Sequence, residues 1–501
     1  MRYNVSRKGV EKNDQGQIIV RRFECDRAGK PKNTRKLCAA DRLRKIISNA
    51  KSASRRNKLA SLTSTEALIE DLKKHGFYYA FEADHTSRRL KYLMWAHPTT
   101  TQLARHFMDL VVLDCTYKTN RYHLPLLNVI ILTGMNKILP LAQVWLPGEA
   151  EPDFDWALSK VKEFLEENTV PLPRMVVTDR DLACTNATEV VFPDAGKLLC
   201  RWHIERNVNA AAIKKIGLGK DTLAAKVFMA MYRHTVDSES ETEFNARRAD
   251  LLEASSEMAK YLDQEWWPHK EKIVKCWTAR YCHFGCHDTS TVEGTHATMK
   301  RWLDNSKGDL LNVFERRLPW WMENASRISL QAAKEATFIP TLFREKPQYE
   351  DVVRIISVYV LEQTEILWAQ ALNIVVNGLD RSTCSGTYRR IHGRPSLHDL
   401  MSLIDSDGQL KLEARHFDKH WWLPPPQSGE TSELLPTTLP TRLLEPQTLR
   451  RGQRKRRPSS QSLSHHGINR TRRELSGFEL VEQKAAASTM ANHQVQSFRI
   501  Y

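Results

Sequence analysis

Between residues 109 and 200, short apolar runs rich in β-branched residues recur in one order: three runs in succession, a helical stretch, a run, a helical stretch, a run. The runs are Asp109–Asp114, Pro125–Thr133, Lys137–Leu146, Arg174–Thr178 and Lys197–Cys200. Apolar stretches this short, bounded by turn residues, read as buried strands. Gly134-Met135-Asn136 is a tight turn between the second and third. A helix capped by Asp153 would place Phe154, Leu158, Val161 and Leu165 on one face, and residues 181–191 form another. Adjacent strands followed by alternating helices and strands predict an α/β fold, a mixed sheet with helices on both faces.

The rest of the chain divides around that block. At 501 residues it is too long for one ordinary core. Residues 1–60 form a polar, basic segment. Residues 61–108 lead in, with a Thr63–Glu66 capping box opening a helix and a hairpin over Phe77–His97. Residues 204–288 turn helical without strand signals and end in the aromatic stretch Trp266-Trp267-Pro268 and Trp277. Residues 289–308 hold a helical stretch, and 309–380 are helical, including Leu310–Arg327 and Val352–Leu372. Residues 381–423 contain Cys384, His392 and His398, and residues 424–501 are a Pro/Ser/Thr/Gln-rich basic tail with no expected core.

Charge is unevenly placed. Residues 1–60 carry 18 Lys/Arg against 5 Asp/Glu, and residues 424–501 carry 12 against 6, leaving 61–423 at −3 within a net charge of +16. Basic flanks suit arms that meet a polyanion, with DNA the expected partner. The run Arg450, Arg451, Arg454, Lys455, Arg456 and Arg457 reads as a nuclear import signal, predicting a nuclear protein. No run of 18 apolar residues occurs, so no membrane partner is expected. Nine cysteines in a chain of this length point to a reducing compartment rather than a disulfide framework.

Three acids stand in settings that hold a carboxylate in place. Asp114 closes Leu110-Val111-Val112-Leu113, and Asp179 closes Met175-Val176-Val177-Thr178. Glu293 lies in Thr289–His296, before a helical stretch. Strand ends place carboxylates repeatably. Three such groups can hold two Mg²⁺ or Mn²⁺ ions, which activate an attacking hydroxyl and stabilise the leaving oxygen of a phosphodiester. Any one of these acids alone is as well explained as a turn or cap residue.

The wording around the acids resembles the Mutator-like (MULE) transposases. Leu113-Asp114-Cys115-Thr116-Tyr117-Lys118-Thr119-Asn120-Arg121-Tyr122 resembles the first family block, and Glu149 with Phe154-Asp155-Trp156-Ala157-Leu158 the next. Thr178-Asp179-Arg180-Asp181-Leu182-Ala183, Phe192-Pro193, Cys200-Arg201-Trp202-His203 and Asn207 resemble the block around the second acid. Thr289–Ala297 with Lys300 resembles the third. The far-red-impaired-response proteins of plants, which look like domesticated transposases, share this core.

The resemblance implies a ribonuclease-H-like sheet, interrupted before its last helix by an all-helical insertion. It implies a DDE transposase in which Asp114, Asp179 and Glu293 are catalytic and hold two Mg²⁺ or Mn²⁺ ions. The partners would be terminal-repeat and target DNA, with a homo-oligomer suggested by the resemblance alone. Cys200 and His203 would be a structural motif near the site, with zinc not expected there. A domesticated non-catalytic regulator and an inactive transposon relic are the alternatives.

Two zinc elements of the family look degenerate. Only Cys25 and Cys38 occur before His75, and Ser396 stands where a cysteine is expected beside Cys384 and His398. The cluster Cys276, Cys282, His283, Cys286 and His287 reads either as zinc ligands or as a packed aromatic helix end.

Overall fold

The structure, a computed structural model, describes residues 5–12, 15, 18–25, 61–217, 222–286, 308–378, 384–405, 411–425 and 443–449, with scattered positions between 49 and 59. Glu293, His287, Cys38 and the basic run 450–457 lie outside the described residues. Two units separate at Ser61. In the first, β1 (Val5–Lys12) pairs antiparallel with β2 (Ile18–Cys25), a hairpin in a segment whose sequence showed little periodicity.

In the second unit the apolar runs become a seven-stranded mixed sheet. β3 (Tyr78–Ala83) and β4 (Leu90–Ala96) form the expected hairpin. Then come β5 (Leu110–Thr116), β6 (Leu126–Leu132), β7 (Ile138–Trp145), β8 (Met175–Thr178) and β9 (Gly196–Leu199). The spatial order is β3-β4-β7-β6-β5-β8-β9. β5 is antiparallel to β6 and parallel to β8, and β8 is parallel to β9. Parallel neighbours need crossovers, and helices α3 (Glu151–Glu167) and α4 (Leu182–Val191) supply them.

Both faces are covered. Val111, Leu113, Val129 and Val176 pack with Phe154, Leu158, Val161 and Leu165 of α3. Helix α1 (Ser64–Lys74) precedes β3 and opens on the Thr63–Glu66 capping box. Helix α2 (Pro98–Phe107) starts at Pro98, because proline suits a first helical turn. Asp153 does not cap α3. Ala150 is the N-cap, and the Asp153 carboxylate accepts from the Ala150 N–H at 3.0 Å.

Among the described residues of 201–286 there are only helices and turns: α5 (Arg201–Lys215), α6 (Leu223–Val236), α7 (Glu241–Ala254), α8 (Ser256–Glu265) and the short α9 (Lys275–Thr278). They share an aromatic core of Phe228, Tyr232, Phe244, Trp266 and Trp267. Beyond it run α10 (Leu310–Thr337), α11 (Val358–Val376), α12 (Thr387–His392) and α13 (Leu397–Asp405). Residues 352–357 are not in α11, although the apolar pattern had included them. There the Ile356 and Ser357 N–H groups bond to the Val352 and Trp421 carbonyls. Residues 443–449 also depart from the coreless tail expected, since Leu443 is fully buried.

Two packing features yield stability predictions. The β6–β7 turn passes so close to the segment 418–421 that a Cβ on Gly134 would stand 1.9 Å from the His420 carbonyl oxygen. Gly134→Ala should therefore cost about 1–3 kcal/mol, seen as a lower Tm by calorimetry; an unchanged Tm contradicts this packing. Arg317 is 1% exposed on α10, and none of its guanidinium nitrogens has a hydrogen-bond partner among the described residues. Burial lowers its pKa to about 9. Arg317→Met removes that buried cation and should raise stability by at least about 1 kcal/mol, measured by urea unfolding.

Candidate active site

Strand register builds the site. Leu113 of β5 pairs with Thr178 of β8, and Thr178 pairs with Leu199 of β9. The next residues along are Asp114, Asp179 and Cys200, which therefore stand at one level at the same end of three neighbouring strands. Alternation puts them on one face. Leu110, Val112, Met175, Val177, Leu198 and Cys200 belong to one apolar cluster, and Asp114 and Asp179 continue the same parity.

Cys200 is buried and serves as the N-cap residue of α5, whose first turn brings His203 over the row. His203 lies between the carboxylates, Nε2 at 4.0 Å from Asp114 Oδ1 and Nδ1 at 3.9 Å from Asp179 Oδ1. The Asp114 and His203 side chains are 11% and 13% exposed, and Asp179 is 25% exposed. Burial disfavours a charged imidazole. Cys200, which also hydrogen-bonds it, and the two aspartates outweigh that and push His203 up to about 10. The histidine thus sits between two carboxylates that favour its protonated form.

More acid faces the same cleft, an open space of about 310 Å³ lined by Asp114, Tyr117, Glu149, Asp179, Asp181 and Cys184 among others. The Cys184 thiol is pushed well above its ordinary value, by burial first and then by Asp181, Asp179, Asp114 and Glu149. The Tyr117 hydroxyl donates to Glu149, and Asp181 caps α4 by accepting from the Cys184 N–H at 2.9 Å. Glu149 and Asp181 had been read only as parts of motifs. Their place at the cleft depends on α3 and α4 folding back onto β5 and β8, which no local pattern records.

Asp114 is also held from behind. The buried Asn128 amide donates to the Asp114 carbonyl at 3.1 Å and to the Thr116 hydroxyl at 2.9 Å. Gln143 donates to the Asn128 amide oxygen at 2.7 Å, which fixes the orientation of that amide. The arginines that follow Asp179 and Cys200 reach into the helical segment. Arg180 pairs with Glu265 at 2.5 Å and lies 4.6 Å from the Trp266 ring centroid. Arg201 bonds Asp237 at 2.8 Å and the Ile273 carbonyl at 2.9 Å.

The donor set suits a hard divalent cation: carboxylate oxygens of Asp114 and Asp179 gathered at neighbouring strands. Among the described residues, no three His, Cys, Asp or Glu side chains already stand in metal-holding geometry. The cysteine cluster is divided. Cys276 packs on the core of the helical segment, whereas Cys282 and Cys286 pack with the sheet face that holds Cys200. Ser396 has a different task from the cysteine expected there. Its hydroxyl donates to Asp399 at 2.8 Å and accepts from the Asp399 N–H at 3.2 Å, closing the first turn of α13.

Residues 110–207, which carry both aspartates, Cys200 and His203, match the MULE transposase domain family. The chain carries a MULE transposase domain. It is similar to Protein FAR1-RELATED SEQUENCE 5 of Arabidopsis thaliana, 29% identical over 131 residues, 26% of this chain and 16% of that protein. FAR1-RELATED SEQUENCE 4 of the same plant is 25% identical over 191 residues, 37% of this chain and 24% of that protein. The PKS-NRPS hybrid synthetase cheA of Chaetomium globosum is 23% identical over 419 residues, 76% of this chain but 9% of that protein. The chain spans under a quarter of the length of each of these relatives.

The amide relay behind Asp114 in the transposase domain is testable by a double-mutant cycle. Asn128→Leu strands the Gln143 amide and the Thr116 hydroxyl and should cost about 1–3 kcal/mol. Adding Gln143→Leu should cost less than the sum of the single changes. Strict additivity in denaturant unfolding would contradict the relay.

Proposed function

We propose that this chain is a DDE-type transposase of the Mutator-like class, which cleaves DNA and transfers strands with divalent cations. The supporting observation is the shared level of Asp114 and Asp179 on adjacent parallel strands, with His203 between them. The order β7-β6-β5-β8-β9, antiparallel then parallel about β5, supports a ribonuclease-H-like core. Interruption by α5–α9 before the sequence around Glu293 fits the all-helical insertion.

Asp114 and Asp179 would hold Mg²⁺ or Mn²⁺, with Glu293 completing the set by its place in the family motif. Such ions, when bound, activate a hydroxyl nucleophile and stabilise the leaving oxygen. The chain's own residues do the rest. Strand ends fix the two aspartates, the Asn128–Gln143 relay holds the Asp114 backbone, and Arg180 ties the Asp179 turn to the helical segment. His203 holds positive charge beside both carboxylates. DNA is the proposed substrate and the nucleus the proposed location.

A second reading is a transposase-derived regulator that binds DNA without cutting it. The Arabidopsis FAR1-related relatives favour it.

The test uses purified full chain, supercoiled plasmid and Mn²⁺. Nicking should appear with wild type and fall at least about a hundredfold in Asp114→Ala, Asp179→Ala and Glu293→Gln, beyond the usual cost of losing only an outer-shell partner. Mn²⁺ should raise the Tm of wild type and not of the Asp114→Ala, Asp179→Ala double variant. Equal nicking and equal Tm shifts in wild type and variants would overturn the enzyme reading and leave the regulator.

A further inference from the structure

Residues 443–449 dock on the second unit as a strap. Leu443 is fully buried. Its N–H donates to Glu66 at 2.9 Å, and its carbonyl accepts from the Thr63 hydroxyl at 2.7 Å. The Leu444 N–H donates to the Arg88 carbonyl, and the Leu444 carbonyl accepts from the Leu90 N–H. Glu445 bridges this footing to a different element. Its carboxylate accepts from the Ser64 hydroxyl and from the Thr65 N–H and hydroxyl, at 3.3 and 3.1 Å, in the first turn of α1. It also accepts from the hydroxyl of Tyr122, a residue of the loop joining β5 to β6. The strap grips Tyr122 a second time, where the Leu449 N–H donates to its carbonyl at 2.8 Å.

That loop is a compact body on a strained joint. The fully buried Asn120 side chain accepts from the Tyr122 and Leu124 N–H groups at 3.1 Å each and donates to the Leu124 carbonyl at 2.8 Å. Residues 120–124 are thereby tied into one body. The strap and the Gly308 carbonyl, which accepts from the Arg121 N–H at 2.9 Å, hold that body from outside. Between it and Tyr117 stand Lys118, whose φ of 57° is left-handed, and buried Thr119, whose hydroxyl accepts from Asn120 at 2.9 Å. A residue other than glycine keeps such a backbone only where its surroundings over-determine it. Tyr117 comes directly before this joint, and its hydroxyl donates to Glu149 in the cleft.

We propose that the strap positions one wall of the acidic cleft: Glu445, through Tyr122, fixes the loop that sets the Tyr117–Glu149 pair. Glu445 is a positioning residue here and touches neither cation nor DNA. The rival role for the strap is to cover apolar surface, as Leu443 does. The placement of Glu445 and Leu449 argues for more, because both reach Tyr122 in the loop that returns to the cleft. Glu149 lines that cleft with Asp114 and Asp179, so its orientation sets how much negative charge the cleft offers a cation. The consequence for cation binding rests on the divalent-cation reading of the cleft.

Two measurements on the full chain test this. The first is metal-free, a double-mutant cycle of Glu445→Gln and Tyr117→Phe by urea unfolding. Independent sites add, whereas sites joined through the loop do not. The unfolding constant of the double variant should depart at least about twofold from the product of the single effects. The second is Mn²⁺ affinity, followed by the paramagnetic resonance signal of the free ion, with Asp114→Ala marking loss of the cleft site. Glu445→Gln should bind Mn²⁺ at least about tenfold more weakly than wild type, the usual cost of losing an outer-shell partner. A strap that only covers apolar surface would leave that affinity unchanged in the folded chain.

An additive cycle overturns the proposal, whatever the ion does. So does Mn²⁺ bound by Glu445→Gln as tightly as by wild type. Wild type that binds no Mn²⁺ while the cycle is non-additive overturns the divalent-cation reading alone, and the coupling of strap to cleft wall stands. Should Glu445→Gln fail to fold, Tyr122→Phe breaks the same bond from the loop side and takes its place in both measurements.

Discussion

Two carboxylates on neighbouring strand ends repel each other, and that repulsion organises this end of the molecule. The register that joins β5 to β8 leaves Asp114 and Asp179 no freedom to separate along the strands. Positive charge placed between them offsets that repulsion. His203 meets the demand from α5, whose start is set by the same register through Cys200 at the end of β9. Cys200 thus fixes where the helix begins, and the histidine one turn later supplies the charge.

The helical segment participates in that arrangement. Arg180 and Arg201 each sit one residue beyond a row position, and each is spent on a contact with residues 236–273. Arg180 takes both Glu265 and the face of Trp266, the paired carboxylate and aromatic recognition that a planar guanidinium provides. The segment's aromatic core, with Trp266 and Trp267 buried in it, is therefore coupled to the Asp179 turn through one side chain. At that turn Asp179 accepts a 2.6 Å bond from the Arg180 N–H.

Much of this was legible in the sequence, for a physical reason. Buried strands must be apolar on both faces, so β5 to β9 announce themselves as continuous runs, and the acids that end them are visible by contrast. The capping box at Thr63 is likewise a local pattern with a local cause. What escaped was non-local. Asp153 looked like a cap because caps are acidic, but Ala150 already had the extended geometry and Asp153 serves from three residues inside. Glu149 and Tyr117 meet only after β7 and α3 fold across the end of β5. The strap at 443–449 carries a tail-like composition, and its order comes from partners more than 300 residues away. Composition reports how much apolar surface a segment can bury by itself, and such a strap borrows its burial from others.

The distribution of charge bears on which reading the molecule favours. A surface meant only to hold DNA gains from cations and loses from acids, because each uncompensated carboxylate near the backbone adds repulsion. Here Asp114, Glu149, Asp179 and Asp181 converge on one cleft while the basic excess lies in the flanks. Such a cleft admits a phosphodiester only when positive charge is supplied to it. His203 provides one such charge within the fold, and the carboxylates are the natural ligands for a divalent ion. The acid cleft is therefore consistent with the proposed chemistry at the strand ends, and the basic flanks with the proposed DNA partner.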